Sequence, residues 1–358
     1  MSTPPNGQDA GHGHGRRPAP FFPALLAAAL VAGSVGAASI LDPAPDWDAL
    51  VVEVSGVSLN PADPGQASVG RLGFRGGLWL RSDDPRFGGL SDLRLAADRS
   101  SLLAVSDCGS VLEAGLVYDE QGRLSGLASP RIGPLRGPLG QPVRDGEVDA
   151  EALAHDGEGG FVVAFEGRPR LLAFPAPGGL RGPGRELPVP GGLGRSGGNS
   201  GVEAMVRLAD GRLLLLTEAS DDSRGAAGWI GRGDDWTAFE YPLVRDPGHE
   251  EPFRPTSAAL LPGTGDVLVL ERRYPPVAVR IRRVPGTAFE RGAGLEGVEV
   301  ARLEPPLSVD NFEGLDVVPG PGDEVRVFLV SDDNDCAKRP GALRRSAQRT
   351  LLLAFALP

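Results

Sequence analysis

Short apolar runs, punctuated by Gly, Pro and Asp, succeed one another along most of the chain. Phe161-Val162-Val163-Ala164-Phe165, Leu213-Leu214-Leu215-Leu216, Val267-Leu268-Val269-Leu270 and Val325-Arg326-Val327-Phe328-Leu329-Val330 are examples. Runs this short, bounded by turn formers, predict buried strands; no segment keeps a 3.6-residue apolar period long enough for a helix. One stretch shows the unit. A strand is predicted over 201–208, with Val202, Ala204 and Val206 on one face, followed by the turn Ala209-Asp210-Gly211. Asp-Gly is a hairpin signal. A return strand follows over 213–217, and Trp229-Ile230 and residues 239–243 mark two more. Four antiparallel strands per unit is the pattern of a propeller blade.

A polar phrase marks the same phase of successive units. Ser91-Asp92-Leu93 leads to Asp107, Glu151-Ala152-Leu153 to Glu166, and Glu203-Ala204-Met205 to Glu218. Thr256-Ser257-Ala258 leads to Glu271, and Glu313-Gly314-Leu315 to Asp332. The phrase restarts every 52 to 60 residues, and its acidic partner follows 15 to 19 residues later. A divergent repeat of this length, built from strands, predicts an all-β propeller whose equivalent positions meet at one axis. Six blades are favoured, the sixth drawn from 51–59, 70–80 and 351–356; five with an elaborate closure is the alternative. Either way the terminal strands are expected to pair and shut the ring.

The first 38 residues read differently. Arg16 and Arg17 precede an apolar run from Phe21 to Ala38 that ends in Gly36-Ala37-Ala38. This order predicts a cleaved export signal, with an uncleaved anchor as the alternative, and leaves residues 39–358 as one domain. Cleavage removes two arginines and one aspartate and takes the formal charge from −11 to −12. Such acidity argues against nucleic acid and anionic lipid as partners. No later segment is long and apolar enough to span a bilayer. The expectation is a monomer of the periplasm or cell envelope acting on a small molecule. Cys108 and Cys336 are the two cysteines; export permits them to pair, and both follow the acidic end of a second strand.

The acidic positions supply the candidate chemistry. Calcium takes six to eight oxygen ligands in loose geometry. Glu151, Glu166, Glu203, Glu218, Glu271, Glu313, Asp332 and Asp333 offer them, with Ser91, Asp107, Asn199, Thr256, Asn311 and Asn334 as further channel-lining residues. Clustered carboxylates must bind a cation, pair with a base or take up protons. Glu203 and Glu313 are the candidates for catalytic work, and Arg272, with Arg273 beside it, for holding a phosphate. Other chemistries fit poorly. Downstream of the predicted signal the only histidines are His155 and His249, and Gly198-Asn199-Ser200-Gly201 falls short of a nucleophile elbow.

Several pieces carry a family resemblance: Phe87-Gly88-Gly89-Leu90-Ser91, Ala104-Val105-Ser106-Asp107, Asp149-Ala150-Glu151-Ala152-Leu153, Asn199-Ser200-Gly201-Val202-Glu203-Ala204, Leu270-Glu271-Arg272, Asn311-Phe312-Glu313-Gly314-Leu315 and Leu329-Val330-Ser331-Asp332-Asp333-Asn334. They resemble the phytase-like family described as having esterase-like activity. The resemblance implies a bacterial exported β-propeller and a hydrolase of phosphoric or carboxylic esters. Against it, Asp83-Asp84-Pro85-Arg86-Phe87 keeps only the first part of the Asp-Asp-Pro-Ala motif of phytases, and Cys108-Gly109-Ser110 stands where relatives more often carry a base. The alternative is a non-catalytic propeller that binds a ligand or partner and uses calcium structurally.

Overall fold

The structure, a computed structural model, describes residues 46–143, 148–193, 201–218, 225–275, 277–291, 295–335 and 347–358. The predicted export signal lies outside these residues, as do Asn199 and Cys336.

Five antiparallel sheets form the blades of a propeller. From the inside outward, blade 1 holds Leu90–Leu95, Ser101–Ser106, Ser110–Tyr118 and Leu124–Pro134, with Asp48–Ala49 on its outer edge. Blade 2 holds Ala150–His155, Phe161–Phe165, Arg170–Phe174 and Arg185–Leu187. Blade 3 holds Val202–Arg207, Leu213–Thr217, Gly225–Arg232 and Asp235–Pro242; blade 4 holds Arg254–Leu260, Val267–Arg273, Ala278–Val284 and Val298–Leu303. Each inner strand adjoins the next, and that of blade 5 returns to blade 1.

Blade 5 closes the ring. Its two inner strands, Phe312–Pro319 and Val325–Ser331, are followed by the C-terminal Thr350–Leu357, and then by Leu72–Arg81 from the N-terminal side. The terminal strands pair as expected, Thr350 opposite Leu80 and Ala356 opposite Gly73. The smaller of the two blade counts therefore holds. The segments expected to make a sixth blade are the outer half of the fifth, because the C-terminal strand goes to the open edge of Val325–Ser331.

The continuous apolar runs follow from this stacking. A middle strand such as Leu213–Thr217 has a neighbouring blade over each face, so Leu214, Leu215 and Leu216 are all buried. There are five apolar clusters, one for each pair of adjoining blades; Phe328 and Leu93 meet between blades 5 and 1, Val163 and Val105 between blades 1 and 2. Gly314 is needed where blade 5 meets blade 1, since a Cβ there would lie 2.5 Å from Val330 and 3.0 Å from the Asp92 Cα.

At the centre, one buried ion pair touches every blade. The Asp92 carboxylate accepts from the Leu153 amide at 2.8 Å, the Ser257 hydroxyl at 3.0 Å and Arg94 at 3.0 Å. The Arg94 guanidinium donates to the carbonyls of Leu315 (3.0 Å), Met205 (3.0 Å) and Ala258 (3.3 Å). Blade 1 thus reaches blade 2 through Asp92, blades 3 and 5 through Arg94, and blade 4 through both. Burial pushes the Asp92 carboxyl up to about 6, with Arg94 and the amides pulling it back.

Removing one partner of a buried pair leaves an uncompensated charge, at a cost of about 3–5 kcal/mol. Arg94→Met should therefore lower unfolding stability by roughly that amount. Asp92→Asn combined with Arg94→Met should recover part of the loss in urea denaturation. A single substitution with no measurable effect would show that the pair does not tie the blades.

Candidate functional site

The recurring polar phrase has a structural cause. In each inner strand the ladder skips one residue: Ser91, Glu151, Glu203, Thr256 and Glu313 are left out of register with the second strand. These are β-bulges, which kink a strand and re-aim a side chain. The residue preceding each bulge pairs near the end of the second strand: Leu90 opposite Ser106, Ala150 opposite Phe165, Val202 opposite Thr217, Pro255 opposite Glu271, and Phe312 opposite Ser331. The next residue of each second strand is the equivalent site position: Asp107, Glu166, Glu218, Arg272 and Asp332.

Blade 4 therefore departs from the sequence expectation by one residue. Glu271, expected among the metal ligands, does not join the others. Strand side chains alternate in direction, so a one-residue offset sends a group to the opposite face. Glu271 is fully buried between blades 3 and 4, where it accepts from Arg280, from Arg282 and from the Tyr241 hydroxyl at 3.0 Å. Arg273 faces the same way, paired with Asp246 at 2.6 Å beneath Phe253, and takes no part in the site. Arg272 takes the site position, bonded to Glu313, to Asn311 and, at 3.2 Å, to Glu218.

Several of the other expected residues are brought together. Asn311 donates to Glu313 at 2.8 Å and to Asp332 at 3.2 Å. Asp332 also accepts from the Asn334 amide at 2.7 Å, and Asp333 holds the Gly89 amide of blade 1 at 3.0 Å. Glu166 accepts from the Gly201 amide at 3.3 Å. Ser91 and Thr256 spend their hydroxyls on the carbonyls of Gly89 and Phe312, so they line the ring without presenting a charge. Cys108, next to Asp107, is disulfide-bonded. The shortened Asp83-Asp84-Pro85-Arg86 motif is used locally, as Arg86 pairs with Asp84 at 2.8 Å and Asp48 at 2.7 Å.

One residue was missed. Among the described residues, Asp149, Glu151 and Glu166 form the group suited to a metal, with one oxygen of each within 4.8 Å of the others. Asp149 lies two positions before the bulge and its carbonyl accepts the Glu166 amide at 2.8 Å. The signal was the Asp149-Ala150-Glu151 spacing, which places two acids one strand repeat apart.

The electrostatics are strained. Burial, then Glu313, Asp149 and Asp333, push the Asp107 carboxyl up to about 8. Burial, then Glu313 and Asp107, push Asp332 up to about 9. Burial and neighbouring acids raise Glu151 and Glu203 well above the usual carboxylate range, with Arg272 pulling Glu203 back. Beside this ring opens a pocket of about 460 Å³ lined by Glu218, Arg272, Asn311, Tyr274, Arg254 and Gln348, among others.

The sequence matches the phytase-like family, described as esterase-like activity of phytase, over residues 85–335. No curated protein matches the chain. Similar solved structures include U3-55K, at 12% identity over 74% of this chain and 95% of that one, with a TM-score of 0.39. Another is the PQQ-bound aldose sugar dehydrogenase of Streptomyces coelicolor, at 16% identity over 86% of this chain and 99% of that one, with a TM-score of 0.38. Scores this low carry no argument about function.

Two outcomes follow from the site. The raised carboxyls hold protons in the folded protein where the unfolded chain has lost them. Their stabilisation is complete below about pH 4 and is lost as pH rises through their folded values. In chelator, the melting temperature should fall as pH rises through the values of about 8 and 9 set by Asp107 and Asp332, and saturating calcium should flatten the fall. A melting temperature that rises over that range would contradict the charge assignment. Separately, Glu271→Gln should destabilise the fold by leaving Arg280 and Arg282 under-compensated, yet leave calcium affinity unchanged in calorimetry.

Proposed function

The chain belongs to the phytase-like family, and from that membership and the acidic ring we propose that it is a metal-dependent ester hydrolase of the cell envelope acting on a phosphate ester. The observation that carries the proposal is the convergence of the Asp149, Glu151 and Glu166 oxygens. An all-oxygen, carboxylate-rich donor set suits calcium. A cation held there would polarise an ester oxygen and acidify a bound water.

The chain's own residues supply the rest. Arg272 offers a planar, permanently charged fork at the edge of the pocket, suited to phosphate oxygens. Asn311 and Glu313 hold that fork in place. Burial raises the carboxyls of Glu203 and Glu313, the direction that suits a general acid or base, with Arg272 pulling both back. The second reading, a non-catalytic binding propeller with structural calcium, draws support from the ion pairs of Arg272 with Glu218 and Glu313.

Turnover separates the two. Purified protein should hydrolyse phosphomonoesters with calcium, lose that activity in chelator, and lose about 100-fold or more in Glu203→Gln, within the range of general acid–base effects. Calcium binding without turnover on phosphomonoesters, phosphodiesters or carboxylic esters would support the second reading. In either case calcium at a hundredfold excess over its dissociation constant should stabilise the fold by about 2.7 kcal/mol. Glu151→Gln should shrink that gain. Export is proposed on the leader sequence alone, and amino-terminal sequencing of envelope protein should find Ser39 rather than Met1 at the start.

A further inference from the structure

The strand that delivers Arg272 ends at Arg273, and the turn that follows puts Tyr274 in the pocket wall. Glu271 and Arg273 point to the buried side between blades 3 and 4, while Arg272 and Tyr274, two residues apart, line the pocket. Both side chains belong to the lining of the same pocket, Arg272 from the strand and Tyr274 from the turn. Tyr274 is 62% exposed, an unusual position for a large aromatic ring, and it lies beside Arg254 and Gln348. The pocket volume of about 460 Å³ falls in the range of small-molecule sites.

We propose that Tyr274 is a specificity-determining platform, on which the site stacks a planar ring in the alcohol part of a phosphate ester. This rests on the reading of the site as a phosphoester site. With the phosphate at Arg272, the alcohol part extends outward along the pocket. A ring attached directly to the ester oxygen then lies within reach of the Tyr274 face. Aromatic rings gain from offset or edge contact with one another, beyond the area they bury. A short alkyl group at the same place covers little of that face.

The test is calorimetric binding of phenyl phosphate, methyl phosphate and inorganic phosphate to the full-length calcium-loaded protein. Phenyl phosphate should bind roughly 3- to 10-fold more tightly than methyl phosphate, the size of one aromatic pair. Tyr274→Ala should erase that margin and leave methyl phosphate binding unchanged, whereas Tyr274→Phe should keep it. Because the ring is exposed, both variants should melt with the parent protein. Equal affinity for the two esters, or a margin that survives Tyr274→Ala, would overturn the platform and leave the phosphoester reading standing. Failure of all three phosphates to bind would overturn that reading, and the platform with it.

Discussion

The propeller is organised around the Asp92–Arg94 pair. Five blades packed side by side bury apolar surface equally well over small rotations about the axis, and apolar contact alone has no preferred direction. Hydrogen bonds from one buried pair to all five inner strands supply that direction. The cost is two desolvated charges, offset by the donors and carbonyls that satisfy them. In the other four blades the backbone groups the pair bonds, on Leu153, Met205, Ala258 and Leu315, lie two residues along the strand from the bulge.

The bulges do the opposite work. They break the ladder once per blade and turn the freed side chain to the axis. Blades 2, 3 and 5 deliver glutamates there, and the second strands add Asp107, Glu166, Glu218 and Asp332. Blade 4 contributes Thr256 and Arg272 instead, so the ring is lopsided. Asp149, Glu151 and Glu166 gather on the blade 2 side, while Arg272 answers Glu218 and Glu313 on the other. A dication held by those three carboxylates would, with the guanidinium opposite, bind an anion between them.

Much of this was legible in the chain. The phrase heads Ser91, Glu151, Glu203, Thr256 and Glu313 are the bulge residues themselves, and the repeat spacing gave the blades. The assignment of Glu271 went astray because Glu-Arg-Arg offers an acid one place before the equivalent position, and only the pairing of Pro255 with Glu271 reveals the offset. The blade count was ambiguous because Leu72–Arg81 and Thr350–Leu357 join through space, across almost the whole sequence. Asp92 and Arg94 were hidden for the same reason: apart from the Ser257 hydroxyl, their partners in the other blades are backbone groups, which leave no side-chain signature.

The most direct measurement of the central claim is anomalous diffraction from crystals grown with calcium or with a lanthanide in its place. A peak bounded by the carboxylates of Asp149, Glu151 and Glu166 is the expected result. Well-ordered density for all three side chains with no anomalous peak among them, at millimolar metal, would contradict a cation centre and leave the ring as a protonated, hydrogen-bonded channel lining.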